Sequence, residues 1–529
     1  MVRIRNYFIA FAVAFAISSA YALIAVQDAK AQSTMGDLIK RIEVLESKGG
    51  GGNVTTGARG LKIGVMMRTR FEQQSQFLID TGGSSSRGND GIYRLNTSSL
   101  TKATGDSRLG YRESNEFTVQ RTRVYFDADV NENVRAYVRI ADNRVWGGEQ
   151  HTTNGATGVG DADQWTELNE GYVDLRNLGD LTSTLENISV RAGRWQMFYG
   201  DHRLIGHLNW TNVGRSWNGA RVKWDNKKGS WVDFFATQVQ EDSTGAVSGD
   251  AVSRDTEKDE LFWGLYTHFK DPLGFKGIAA EPYLIIRDRS TSDRSDTGAD
   301  SGEERYSAGL RLAGKKVPSL PGVDFTFEQT WQFGHVETVV QQGAAASNPI
   351  QAFAGAWGAG YTFSDVSWSP RVGYQYAFAS GDEDPDNGAD KTFNQLYPTG
   401  HARLGYIDFH GYQNIRAHKA MLTLKPTKKL LMKADLWFFE ADEEADDWFS
   451  VAGGVNRQGG DTFLNRTGSG NIDDEYGQEL DITVKYKLFK NFGVVAGYSH
   501  YFTGEFMEDT NNGYDRDSDW AYLMTSLKF

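Results

Sequence analysis

The sequence predicts an all-β fold, a transmembrane antiparallel β-barrel of about 18 strands with a short coiled-coil-like helix before it. Three observations carry the prediction. From Leu61 onward apolar and polar residues alternate with period two, which gives a sheet one apolar and one polar face. The connections between alternating segments are in turn short and long, the pattern of periplasmic turns and outer loops. The chain is also rich in Gly (59), Trp (14), Tyr (23) and Phe (30), yet its mean hydropathy is −0.51. Only every second residue of a barrel strand meets lipid, so a membrane barrel keeps a polar average, whereas a bundle of membrane helices does not.

Residues 1–31 read as a secretory signal peptide: Arg3 and Arg5, an apolar run from Phe8 to Val26, then Ala29-Lys30-Ala31 before Gln32. The rival is a membrane anchor, because the run could just span a bilayer. The A-x-A site and the lack of a second such run favour cleavage. Loss of Arg3, Arg5, Lys30 and Asp28 would move the formal charge from −13 to about −15.

Residues 32–52 form a second unit. Met35, Leu38, Ile42 and Leu45 have a/d spacing, with Asp37, Lys40, Arg41, Glu43 and Glu46 on the other faces. Two heptads cannot associate alone in water. On an already oligomeric barrel they could help to hold a homotrimer, and otherwise they are an amphipathic tail. Gly49 to Gly52 make a flexible linker.

The barrel is expected over 53–529. Leu61, Ile63, Val65, Met67, Thr69 and Phe71 alternate with Lys62, Gly64, Met66, Arg68, Arg70 and Glu72. Arg121, Arg123, Tyr125, Asp127 and Asp129 oppose Thr118, Val124, Phe126, Ala128 and Val130. After an Asn131-Glu132-Asn133 turn, Arg135, Tyr137 and Arg139 alternate with Val134, Ala136, Val138 and Ile140. A soluble sandwich would alternate too, so loop lengths decide. Short connections fall near 131–133, 227–229, 271–275, 364–366, 426–428 and 490–491. Long ones fall near 74–114, 147–166, 198–216, 240–258, 336–354, 381–412 and 441–475. A sandwich has no reason to sort its loops this way. The segment ending at Phe529 alternates Trp520, Tyr522, Met524 against Ala521, Leu523, Thr525, and resembles the assembly signal of bacterial outer-membrane proteins. The expected location is therefore the outer membrane, with its lipid as a partner.

Catalysis and cofactors find little support. There is no Cys, which excludes disulfides, Cys-ligated zinc and C-x-x-C-H haem attachment. His151, His202, His207, His401 and His410 fall mainly in predicted loops without metal-ligand spacing, and no G-x-S-x-G elbow or P-loop occurs. No enzyme activity, cofactor, metal or nucleic-acid partner is expected. Asp382, Asp384 and Asp386 invite comparison with a calcium loop, but Gly388 is misplaced and no Glu stands at the twelfth position. They read as an acidic surface loop that binds divalent ions loosely.

The stretch Phe198 to Val222 is rich in Arg, His, Asn and Trp and hangs between two alternating segments, which suggests a constriction loop. Its residues also resemble a known family. The run Gly193, Arg194, Tyr199, Gly200, Asp201, Arg203 to Gly206, followed by Trp210, Asn212, Gly214, Arg215, Ser216, Gly219 and Arg221, is similar to the alginate-export family of outer-membrane β-barrels. The likeness extends over roughly 115–529 through RYSAGLRLAG (305–314), DFTFEQTWQFG (324–334), Phe393 to His401, Gly405 to Asp408, Lys425 to Lys429, Gln478 to Asp481 and Gly497 to His500. Asn218 stands where that family usually has an acid.

The resemblance implies an 18-stranded channel that carries an anionic polysaccharide outward through a basic lumen, served by periplasmic export machinery. The alternation itself turns Arg121, Arg123, Arg135, Arg139, Arg194, Arg221, Arg287 and Arg311 inward, together with Arg68, Arg70, Lys223, Arg371, Lys433 and Lys485. Facing acids include Glu72, Asp127, Glu170, Asp174, Glu281, Glu328, Asp435, Glu479 and Asp481, which leaves a modest basic excess. Guanidinium groups can replace the hydration of a passing carboxylate with bidentate contacts, and basic rings select anions in pores. Arg203, Arg215 and His207 would meet the solute at the constriction, with Trp210 and Trp217 stacking on sugars or serving as girdle residues. The plainer alternative is that Arg and Asp/Glu pair across strands to stiffen the wall. Two other functions stay open: a porin for small anions or sugars, made trimeric through the Met35–Leu45 segment, and a surface protein with a plugged lumen.

Overall fold

The computed structural model describes residues 60–75, 114–147, 166–239, 260–289, 302–315, 317–340, 344–385, 388–401, 403–457, 459, 472–510 and 516–529. Residues 1–59, on which the expected signal peptide, coiled-coil segment and Gly linker fall, lie outside them, as does Asp386. Eighteen strands form one closed sheet in which each neighbour is antiparallel. In chain order the first are β1 (Gly60–Ser75), β2 (Ser114–Asp129), β3 (Val134–Gly147), β4 (Thr166–Leu175), β5 (Ile188–Trp195) and β6 (Trp217–Asp225). Next come β7 (Trp231–Gln238), β8 (Glu260–Lys270), β9 (Ile278–Arg289), β10 (Glu303–Gly314), β11 (Val323–Val340) and β12 (Ala344–Thr362). β13 (Arg371–Ala379), β14 (Ile415–Leu424) and β15 (Leu430–Glu440) follow, then a small hairpin of β16 (Trp448–Phe449) and β17 (Val455–Arg457) inside one loop. The wall ends with β18 (Glu475–Tyr486), β19 (Phe492–Thr503) and β20 (Ser518–Lys528), and β20 pairs with β1 to close the ring.

The two faces follow from the period-two pattern. On β11, Trp331 and Phe333 point outward with 53% and 48% of their surface exposed, while Thr330 and Gln332 beside them are 2% exposed. Phe71, Val138, Val222, Phe234, Leu284, Phe353 and Leu523 share the outer, lipid-facing side. Exposed aromatics also stand near the strand ends, with Trp146 towards the outer end and Phe363, Trp368 and Phe489 at periplasmic turns. Trp217 is not among them. It is fully buried at the head of β6, its ring edge-on to Tyr397, so the expected girdle role is corrected.

The loop pattern holds with one exception. Periplasmic turns run at 130–133, 226–230, 271–277, 363–370, 425–429 and 487–491, while 176–187 is longer and carries two 3₁₀ turns. The expected long outer loop at 336–354 does not exist: β11 and β12 pair out to Val340 and Ala344, so only 341–343 connect them. Ser347, Asn348 and Pro349 look like loop residues, but pairing with Val336 and its neighbours keeps them in the ladder. Asp382 is also not a surface acid. It is 5% exposed, and its carboxylate accepts the N–H groups of Asp384 and Lys391.

Gly193 shows how tightly one point of the wall is set. On β5 it has φ +129°, and a Cβ there would lie 2.3 Å from the Gly171 carbonyl oxygen of β4. Gly193→Ala should therefore destabilise the barrel by about 1–3 kcal/mol. The measurement is the temperature at which the compact electrophoretic form of the folded barrel converts to the unfolded one. An unchanged temperature would show that this backbone relaxes freely.

Candidate functional site: a constriction built by inward loops

The outer connections 196–216 and 380–414 turn into the lumen. The first leaves β5 after the buried Trp195 and returns at the buried Trp217. Positive φ at Gly200, His202, Leu208 and Gly214 gives it a folded path rather than an extended one. The two loops join in a short parallel ladder. Gly206 N–H donates to the Tyr397 carbonyl at 2.8 Å, Tyr397 N–H to Leu204 at 2.9 Å and Thr399 N–H to His202 at 2.9 Å. A third connection, 441–459 with the β16–β17 hairpin, braces the second loop. Gly411 N–H meets the Phe449 carbonyl, and Gln395 Nε2 and Trp448 Nε1 donate to Val451 and Phe409 carbonyls.

An apolar core accordingly sits inside the barrel. Leu204, Ile205, Phe393, Leu396, Leu404, Ile407 and Phe409 belong to one buried cluster with Ala352, Ala354, Ala356, Ala377, Ala379 and Ala417 of the β12–β14 wall. Small inward residues leave room for the loops to pack against the strands, and burial of their apolar side chains stabilises the filled lumen.

Polar wall residues fasten this core at several points. Arg311 on β10 pairs with Asp201 at 3.0 Å, and Arg305 pairs with Asp390 at 2.7 Å. Glu479 on β18, fully buried, accepts the N–H groups of Tyr406 and Ile407 at 2.5 and 3.0 Å. At β1, the Arg70 guanidinium lies 3.9 Å from the Trp210 ring, on which the His401 imidazole stacks at 3.8 Å. His401 Nδ1 is 2.8 Å from Asp408 Oδ2.

Five consecutive carbonyl oxygens of the first loop, Asn209 to Val213, face arginines of β1 and β2. Arg68 donates to Asn209 at 2.7 Å and Thr211 at 3.0 Å, and Arg70 to Trp210 at 2.7 Å. Arg121 Nη1 reaches Asn209, Thr211 and Asn212 at 3.0–3.3 Å. Arg123 donates to the Val213 carbonyl and to Asn209 Oδ1, both at 2.8 Å.

The other sequence-predicted arginines divide by partner. Arg135 bridges Asp127 and Asp174, Arg139 pairs with Glu170, Arg221 stands 3.5 Å from Asp233, and Arg287 chelates Glu303. Arg311 adds Glu281 to its Asp201 contact, and Arg203 lies 3.8 Å from Glu328. These are lateral pairs of the wall or loop anchors. Arg194 Nη1 donates to Asn218 Oδ1 at 3.4 Å, an amide at the position where an acid was expected. Arg215 joins the two loops by donating to the Gly206 and Pro398 carbonyls.

Burial, with neighbouring cations, pushes His202 and His207 down to about 4, so both imidazoles are neutral at pH 7. Burial would raise Asp201, but the charges of Arg311, Arg203 and Arg403 outweigh it and hold the carboxyl at about 2. Arg403 and Glu479 are the residues that sequence reasoning passed over as site members. Glu479 was legible only as one more inward acid, and nothing local marks it as a loop anchor. Among the described residues no group of three or more His, Asp or Glu could hold a metal.

Residues 97–519 match the family model described as alginate export. No curated protein matches the chain. Among solved structures, Pseudomonas aeruginosa OccD3 (OpdP) is similar at 12% identity over 91% of this chain and 94% of that one, with a TM-score of 0.50. Acinetobacter baumannii OccAB2 aligns at 9% identity over 88% and 98% (TM-score 0.49), and Pseudomonas aeruginosa OprD at 10% over 89% and 97% (TM-score 0.48). At such identity the OccD3 likeness speaks to the fold alone. The family match covers most of the chain, and the closed barrel on which it falls places the protein in the bacterial outer membrane: it belongs to the alginate export family of outer-membrane channels.

Proposed function

We propose that the barrel carries an anionic polysaccharide of the alginate type across the outer membrane through an arginine-lined lumen. The observation that carries this reading is the charge balance at the constriction. Most inward arginines meet a carboxylate, but among the described residues Arg68, Arg121 and Arg123 meet carbonyl and amide oxygens and no carboxylate at ion-pair distance. Three guanidiniums with no carboxylate at ion-pair distance among the described residues favour anions where the first loop crosses the lumen face of β1 and β2. The lateral pairs stiffen the wall around them.

Residues 1–31 direct the chain to export in this reading. Residues 32–52, which precede the periplasmic end of β1, contact export machinery there or two further copies in a trimer. No catalytic step belongs to it.

Reversal potential in a planar bilayer under a salt gradient tests the cargo class. The purified channel should be anion-selective and reversibly blocked by an oligouronate, and Arg121→Gln should weaken both effects. A cation-selective pore that oligouronate does not block would overturn the proposal and leave a porin for other small solutes.

A further inference from the structure

The row of carbonyls at Asn209 to Val213 has an unusual position. Arg68 and Arg121 are direct partners across the β1–β2 ladder, an arrangement that like charges disfavour. What joins them is the loop: both donate to the same Asn209 and Thr211 carbonyls. Among the described residues only Arg70 of the four guanidiniums has a carboxylate at ion-pair distance, Glu72 at 2.6 Å. Arg68 and Arg123 are 9% and 3% exposed, and the Nε of each is buried without a hydrogen-bond partner. The cluster thus has more charge and more donors than the loop satisfies.

A neutral amide oxygen is the weaker ligand for a guanidinium. A carboxylate brings full charge and two oxygens that match the planar fork. We infer that Arg68, Arg121 and Arg123 form a binding site for the carboxylate groups of an anionic chain, and that the carbonyls of 209–213 occupy it when the channel is closed. The inference rests on the proposed passage of such a chain. A uronate residue that takes the guanidiniums displaces the carbonyls and frees the segment. Leu208 and Gly214, at φ +49° and +83°, flank it and supply the turning points. Release also withdraws Trp210 from Arg70 and His401. The cargo would then open its own path, since it binds the open arrangement better than the closed one. A neutral sugar of equal length has no such preference.

The absence of Cys allows a single reporter thiol. Asn143 is fully buried, pairs with Arg121 across β2–β3, and adjoins Arg144, whose carbonyl accepts from the Asn212 side chain. Its own amide has no hydrogen-bond partner, so Asn143→Cys removes none. In the full-length, reconstituted Asn143→Cys channel, hexagalacturonate should speed reaction with a small neutral thiol reagent by about tenfold. Maltohexaose should not. Arg121→Gln with Arg123→Gln should react fast without uronate and gain nothing from it. Where that double variant fails to assemble, Arg123→Gln alone should show the same change in smaller measure.

Block of the current by hexagalacturonate with unchanged thiol reactivity would overturn the displacement while leaving the anion channel standing. An equal acceleration by maltohexaose would also overturn it. A pore that is neither anion-selective nor blocked would remove both the displacement and the function on which it rests.

Discussion

Glu479→Ala should leave the barrel assembled but loosen its filling, seen as larger and noisier single-channel current. Glu479 lies on β18, and one of its oxygens receives both Tyr406 and Ile407 N–H groups. The chain approaches so closely that a Cβ on Gly405 would lie 2.3 Å from the carboxylate. Alanine leaves two buried donors without an acceptor, each at about 1–3 kcal/mol. Since 1.4 kcal/mol is a factor of ten, the equilibrium between seated and displaced loop 380–414 should move by at least about tenfold. Glu479→Gln retains an acceptor oxygen and should behave much more like the parent. The compact electrophoretic form reports assembly separately. An alanine variant as quiet as the parent would show that the ladder to 196–216 and the brace from 441–459 hold the loop unaided.

Acid should tighten the brace. Burial raises the Asp446 carboxyl from 3.8 to about 7, with the neighbouring Asp447 charge adding to the effect. The seated loop therefore prefers the protonated acid, which donates no charge to a site where Thr392 and the Asp382 N–H already meet its oxygen. Because the folded pKa is the higher one, the contribution is full below about pH 4, declines as pH rises towards 7, and is flat above. One unit corresponds to about 1.4 kcal/mol, so the window spans about 4 kcal/mol at most. Trp448, two residues on, stacks on Tyr476 and His410, and its near-ultraviolet dichroism reports whether the loop is seated. The signal should strengthen from pH 8 to pH 5, and Asp446→Asn should flatten the slope. A parent signal that is constant across this range would contradict the assignment.

The wall was legible because a single residue decides its own face. The alternation around Arg135, Tyr137 and Arg139 is enough to assign them to one face, and on that strand Arg139 is buried while Val138 and Ile140 beside it are exposed. Partner choice is another matter. Arg139 meets Glu170 beside a break in the β3–β4 register at Arg139 and Ile140, which no local pattern announces. The constriction loop was recognisable from its composition, but the destination of its arginines was not. Arg215 ends on the Pro398 carbonyl and Arg121 on carbonyls of the loop itself, contacts made only once distant segments share one lumen. The missing loop at 336–354 has the same origin in reverse. Its Ala, Ser, Asn and Pro residues argue for a turn locally, and the long β11–β12 ladder overrides them.

Closure of the ring by β20 on β1 has a consequence for biogenesis. Val65 and Phe529 exchange both backbone hydrogen bonds, at 2.8 and 3.0 Å, although they stand near opposite ends of the sequence. Until residues 518–528 exist, β1 has an open edge, and an open edge in lipid leaves its peptide groups without partners. Such distant pairing is slow to form and exposes sticky strands in the meantime. The ring can therefore close in lipid only after its last strand has been made.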